Sequence, residues 1–292
     1  MIGKLYHLAH MVEDLAATDR LFFEVFSCLR PYHDYEDGGK RYASLAIIAD
    51  QCFEPIHPSD DPADADTPLA RYRARFGDRM HSIAWYADDV QSFARRLLDY
   101  KIRLIGLNGR PVTDPEPGMA VWTHPRDTGV LIEFAEPGFA ADPRLGRSFK
   151  LDLWRNHPLA LLRTSHVTVL THNLDHADWL YGEVLGGSLL HRDTTNPATP
   201  RAYYAIGEDT VIDAVAPATQ DTPEGADYAA AGKAVHAITF ATADLAGACR
   251  FLASHNISVT EAGPNLVWLN LDPGHGLRMG LTDIPIPGDL RS

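Results

Sequence analysis

Residues 80–97 read MHSIAWYADDVQSFARRL. A mostly apolar run of strand length meets two aspartates and passes into a stretch of mixed apolar and charged residues. This is a strand feeding an amphipathic helix whose first amides Asp89 can cap. With that capping position as a ruler, three other stretches align without a gap: YHLAHMVEDLAATDRLF at 6–22, SHVTVLTHNLDHADWLY at 165–181 and VHAITFATADLAGACRFL at 235–252. Their rulers are Asp14, Asn173 and Asp244. Leu15, Leu21, Phe22 and Phe26 in the first copy, and Leu174, Trp179, Leu180 and Val184 in the third, form core-facing stripes. Alternating apolar segments follow each helix, so the repeat is roughly 70 to 85 residues of strand, helix and several strands. The sequence predicts an α+β fold of four βαβββ modules.

The copies divide the 292-residue chain into two halves, because one core of ordinary size would be crowded at this length. The amino-terminal domain is expected over 1–136, interrupted by the acidic connector SDDPADADTP and a short helix from Leu69 to Phe76. A proline-punctuated linker containing Trp154 is expected over 137–162, packing against both halves. The carboxy-terminal domain covers 163–292, with a second connector, ATQDTPEGADYAAAGK, and a tail, IPIPGDLRS, whose prolines stop any sheet.

A net charge of −13 argues against the phosphate backbone of nucleic acid as a partner. No apolar run approaches the roughly 20 residues of a membrane span, and residues 1–10 lack a signal-peptide core, so the chain reads as cytoplasmic. Cys28, Cys52 and Cys249 form no CxxC and read as buried thiols rather than a disulfide framework or thiolate zinc site.

Seven residues before each ruler stand His7, Ser82, His166 and Ala237, on equivalent strand faces. Alternation places His10, His81 and His236 on the opposite, helix-facing side, the last two as strand-end histidines bonded to backbone or water. DQCFEPIHP at 50–58 and GVLIEFAEP at 129–137 each set a glutamate, Glu54 and Glu133, inside an apolar strand that has no lysine or arginine. A carboxylate there loses several kcal/mol of hydration unless something positive answers it. A divalent metal shared with His7 answers both. Solvent, or an arginine such as Arg41 or Arg73, is the other answer.

MHSIAWYADDV together with HPRDTGVLIEFAEP at 124–137 resembles the vicinal oxygen chelate superfamily of glyoxalase I, methylmalonyl-CoA epimerase, fosfomycin and bleomycin resistance proteins and extradiol dioxygenases. The resemblance implies that modules pair into half-barrels whose clefts hold a metal on ligands from the first and last strands of each module. It places His7, Glu54, Ser82 and Glu133 on a glyoxalase-like pattern of histidine, glutamate, histidine and glutamate, with Ser82 the departure. The other half offers His166, Asp213, Ala237 and Gly280, too few side chains for a tight site. The expected centre is therefore amino-terminal: His7, Glu54 and Glu133 around Zn, Fe, Mn, Co or Ni, with Glu133 or Glu54 doubling as catalytic base.

The expected chemistry is metal-assisted isomerisation, epimerisation or lyase reaction on a small oxygenated substrate, with Ser82 and Tyr86 on the substrate cleft. An extradiol-type dioxygenase and a non-catalytic, antibiotic-sequestering protein are the alternatives. Four modules close both clefts within one chain, compatible with a monomer or homodimer.

Overall fold

The computed structural model describes residues 1–106, 109–138, 142–263 and 265–291; residues 139–141 of the expected linker lie outside these. The first module comprises β1 (Ile2–Met11), α1 (Leu15–Phe26), β2 (Leu29–Glu36), β3 (Arg41–Ile48) and β4 (Gln51–Pro58), followed by α2 (Pro68–Phe76). The second comprises β5 (Met80–Ala87), α3 (Val90–Asp99), β6 (Leu104–Ile105), β7 (Pro111–Val112), β8 (Val121–Thr123), α4 (Pro125–Thr128) and β9 (Leu131–Ala135). After α5 (Asp152–Arg155), the third runs through β10 (Leu161–Leu170), α6 (Leu174–Ala177), a π-helical stretch at Asp178–Val184, β11 (Ser188–Asp193), β12 (Arg201–Ile206) and β13 (Thr210–Val215). Then come α7 (Pro223–Ala231), β14 (Ala234–Thr242), α8 (Leu245–Ser254), β15 (Val259–Gly263), β16 (Leu266–Leu269) and β17 (Met279–Thr282).

All four rulers cap as the sequence predicts. Asp14, Asp89, Asn173 and Asp244 accept from the amides of Ala17, Ser92, His176 and Gly247. The strands form two mixed sheets, ordered β2-β3-β4-β1-β5-β9-β8-β6-β7 and β11-β12-β13-β10-β14-β17-β16-β15. Module one therefore pairs with two and three with four, through the antiparallel contacts β1·β5 and β10·β14. Between the halves, the Phe53 and Phe240 rings approach to 6.2 Å and Trp85 donates to Thr210 Oγ1 at 3.0 Å, within one continuous apolar core.

A reciprocal clasp also joins the halves. Asp50, before β4, accepts from Thr164 N of β10 at 2.7 Å, and Asp209, before β13, accepts from Leu5 N of β1 at 2.8 Å. Each half is then sealed by an Asp-x-Arg strap. In the linker Arg144 pairs with Asp142 at 2.6 Å and donates to the carbonyls of Asp50 and Tyr6. In the tail Arg291 pairs with Asp289 at 2.8 Å and donates to the carbonyls of Asp209 and Ser165. The carboxy-terminal segment thus does more than stop a sheet: it repeats the linker's anchor.

Asp209 carries a pH signature. Burial first, with Asp50 adding like charge, pushes its carboxyl up to about 6 from an ordinary 3.8. The stability that its neutral form contributes is complete below about pH 3.8 and is lost as pH rises through 6. Asp209→Asn keeps the acceptor for Leu5 N and removes the charge. It is expected to raise Tm at pH 8, on the order of 2–4 °C for each kcal/mol recovered, with the gain vanishing by pH 4 in thermal melts.

Candidate metal centre

The register of the first sheet assembles the site. In one row across it, His7 pairs with Ala84 and Ala84 with Glu133; in the next, Glu54 pairs with Ala9 and Ala9 with Ser82. Ala84 and Ala9 occupy the middle of these rows, and their short side chains leave room for the larger groups to meet above them. His7 Nε2 lies 3.3 Å from Glu54 Oε2 and 3.3 Å from Glu133 Oε2, with all three residues buried. Each carboxylate has a second partner. Arg41, reaching over from β3, donates to Glu54 Oε1 at 2.9 Å and also binds Glu36, while Trp122, directly opposite Glu133 on β8, donates to its Oε2 at 3.0 Å. Arg73 is engaged elsewhere, with Asp78.

Burial alone would strip the proton from His7, but Glu54 and Glu133 together outweigh it and hold its pKa above that of an ordinary imidazole. Both its ring nitrogens lack a hydrogen bond of good geometry.

Two bulges change what surrounds this group. Between Leu5↔Trp85 and His7↔Ala84, β1 holds an extra residue, Tyr6, whose ring lies beside His7 and stacks on Tyr86 at 4.6 Å. Between Ala9↔Ser82 and His10↔Met80, the extra residue is His81. Simple alternation put His81 on the helix side; the bulge turns it onto the cleft, where it lines the cavity edge-on to Tyr72. Burial, then Arg41 and His7, push it down to about 3, so it stays neutral. His10 and His236 bond the His275 carbonyl and Asp227 respectively, the latter a carboxylate rather than backbone or water.

A cavity of about 450 Å³ opens over the centre. Glu54, Glu133 and Ser82 line it, with His7 behind the carboxylates. Tyr86 is fully buried and its hydroxyl donates to Asp142, tying the linker strap to the floor of the site.

The equivalent place in the second half differs. Asp213 accepts from Arg201 and Thr168 at 3.1 Å each, and His166 Nε2 is 4.0 Å away. Burial pushes His166 down to about 4. Gly280 takes the position of Glu133, and a Cβ there would meet the Trp268 ring at 2.8 Å. The indole that opposes a carboxylate in one half fills the carboxylate's space in the other.

The amino-terminal donors, one imidazole and two carboxylates, suit a borderline divalent ion. Neighbouring ligands at bonds of about 2.1 Å sit roughly 3.0–3.4 Å apart, matching both 3.3 Å separations from His7. Among the described residues no three such side chains are gathered closely enough to hold an ion as they stand. As they stand, Arg41 holds one carboxylate and the Trp122 indole the other.

Paired βαβββ modules around concave sheets define a double half-barrel protein. A model of the glyoxalase/bleomycin resistance protein/dioxygenase superfamily matches residues 163–270. None of the curated proteins compared matches in sequence. Among solved structures, a variant of 4-hydroxymandelate synthase from Streptomyces coelicolor superposes with a TM-score of 0.72 at 12% identity, covering 96% of this chain and 92% of that one. A variant of homoprotocatechuate 2,3-dioxygenase from B. fuscum gives 0.62 at 13% identity, over 99% of this chain and 74% of that one. Methylmalonyl-CoA epimerase from Mycobacterium tuberculosis gives 0.39 at 21% identity, over 44% and 90%. The second half thus matches the glyoxalase/bleomycin resistance protein/dioxygenase superfamily by sequence over residues 163–270, and the chain carries along its length the two-domain fold of these solved structures. Among the described residues, no helix is long and apolar enough to cross a membrane.

Proposed function

We propose that the chain is a metal-assisted enzyme of the isomerase, epimerase or lyase type, acting on a small oxygenated molecule in the amino-terminal cavity. The observation that carries this reading is the meeting of two buried carboxylates on one imidazole at the edge of that cavity. A divalent ion held by His7, Glu54 and Glu133 would supply a Lewis acid where negative charge develops on a substrate oxygen. Trp122 holds Glu133 when no ion is bound, and Arg41 fixes Glu54; Glu133 is therefore the carboxylate freer to move and, when not engaged by the ion, the one that would take a proton from the substrate carbon next to that oxygen. His7, with its pKa raised by both glutamates, holds the proton balance of the group. The apolar walls exclude water from the abstracted proton.

Equilibrium dialysis of untagged protein against Mn, Fe, Co, Ni and Zn should give about one equivalent of at least one metal per chain, with a change in tryptophan fluorescence as Glu133 leaves Trp122. Failure of every metal to bind removes the metal from the reading. One observation favours that second case: Arg41 already answers Glu54, and the two glutamates raise the pKa of His7 between them, so the group has charge partners of its own for a metal-free acid–base or sequestering site.

A further inference from the structure

The cavity is walled mainly by apolar side chains, among them Ile56, Tyr72, Met80, Trp122 and Val130. Its charged lining runs against the character of the chain. In a protein of net charge −13, the lining holds Lys40, Arg41, Arg79 and Lys233 against Glu54 and Glu133. Three of these cations are answered: Lys40 by Asp37, Arg41 by Glu36 and Glu54, Arg79 by Asp227. Lys233 has no acidic partner among the described residues. It comes from the second half, between α7 and β14, and reaches across to the cavity of the first. Its stem lies on Gly129, where a Cβ would meet Lys233 Cδ at 3.0 Å, so the glycine makes the room in which the lysine lies. The long aliphatic stem covers apolar surface, and the ammonium, whose charge also reaches His176 of α6, has no carboxylate to answer it among the described residues.

We propose that Lys233 is the anion-recognition residue of this cavity, and that the ligand is a small organic anion with an apolar body of one or two rings. Its oxyanion group rests on Lys233 and its reacting, oxygen-bearing end on Glu54 and Glu133. Gly129 and Glu133 are four residues apart, so at most about 13 Å of chain separates them, an upper bound on the reach from one to the other. A cavity of about 450 Å³ sets its bulk. This rests on reading the cavity as the substrate site, and it assigns substrate charge where the preceding section assigns only chemistry.

The test uses two fluorescent probes of similar shape on the full chain: 8-anilinonaphthalene-1-sulfonate, an anion, and N-phenyl-1-naphthylamine, which is neutral. Lys233→Met should weaken the sulfonate about tenfold and leave the amine within about twofold, while Lys233→Arg keeps both affinities. Leu131→Trp, which fills the cavity, should weaken both. Equal loss of both probes in Lys233→Met, no loss of the sulfonate, or sulfonate binding that persists in Leu131→Trp overturns the proposal. Lys233 is only half-buried, so the substitution is compatible with folding. Neither probe gives up a carbon-bound proton or ligates a metal. A chain that binds no metal yet discriminates the probes ends the metal reading and leaves this one standing.

Discussion

Alanine at position 7 is expected to cost at least about 100-fold in divalent-metal affinity, and any proton-exchange activity is expected to fall by roughly 10²- to 10⁴-fold. The reason lies in what remains. Without the imidazole, Glu54 keeps Arg41 and Glu133 keeps only the Trp122 indole, so no neutral nitrogen donor lies between the two carboxylates. Glu133→Gln should be nearly as damaging, because it removes the charge and the proposed base together. Glu54→Gln should be milder, since Arg41 already draws on that carboxylate's charge. Ser82→His is the informative gain. It restores a second imidazole to a side chain that lines the cavity in the row shared with Glu54, and it should tighten metal binding by tenfold or more. Titrations followed by tryptophan fluorescence and direct metal analysis check all four. If His7→Ala takes up metal as well as the unaltered chain, the ion is held elsewhere and the centre loses its assignment.

The parts of this site legible in the sequence are those that follow from periodicity. Four capping residues set the register of four strands, and a glutamate inside each of two apolar runs declared that something polar waited in the sheet. Parallel pairing of β1 with β4 and of β5 with β9 brought His7, Glu54 and Glu133 together as that pattern implied. Alternation fails where a strand gains a residue. The bulges at Tyr6 and His81 reverse the face of each, and no local composition marks them. Arg41 starts β3 opposite Pro58, four residues along β4 from Glu54, so strand pairing alone does not announce the contact its guanidinium makes with Glu54. Lys233 closes a connector of small and acidic residues and gains meaning only from Gly129, about a hundred positions earlier. The superfamily match over 163–270 lies in the half where Gly280, not a carboxylate, stands on the last strand.

The same duplication makes a strong prediction about stability. Asp142 and Arg144 are both about 3% exposed, and Asp142 has no second cation among the described residues, only the neutral Tyr86 hydroxyl and the backbone amide of residue 144. Removing Arg144 therefore strands a buried carboxylate and frees the Asp50 and Tyr6 carbonyls, in a class of change that costs about 3–5 kcal/mol. Its counterpart in the tail is cushioned. Asp289 keeps Arg163 at 2.8 Å when Arg291 is lost, so Arg291→Met should cost about half as much or less. Arg144→Met combined with Asp142→Asn should recover part of the loss, since no uncompensated charge is then left behind. Because Asp142 also holds the Tyr86 hydroxyl beneath the Tyr6 ring beside His7, Arg144→Met should loosen metal binding where Arg291→Met does not. Urea titrations of the four proteins, each read for metal affinity at a denaturant concentration well below its transition, measure both effects. Equal destabilisation by the two arginine variants would show that the straps act as simple tethers, with the buried charge at Asp142 carrying no special weight.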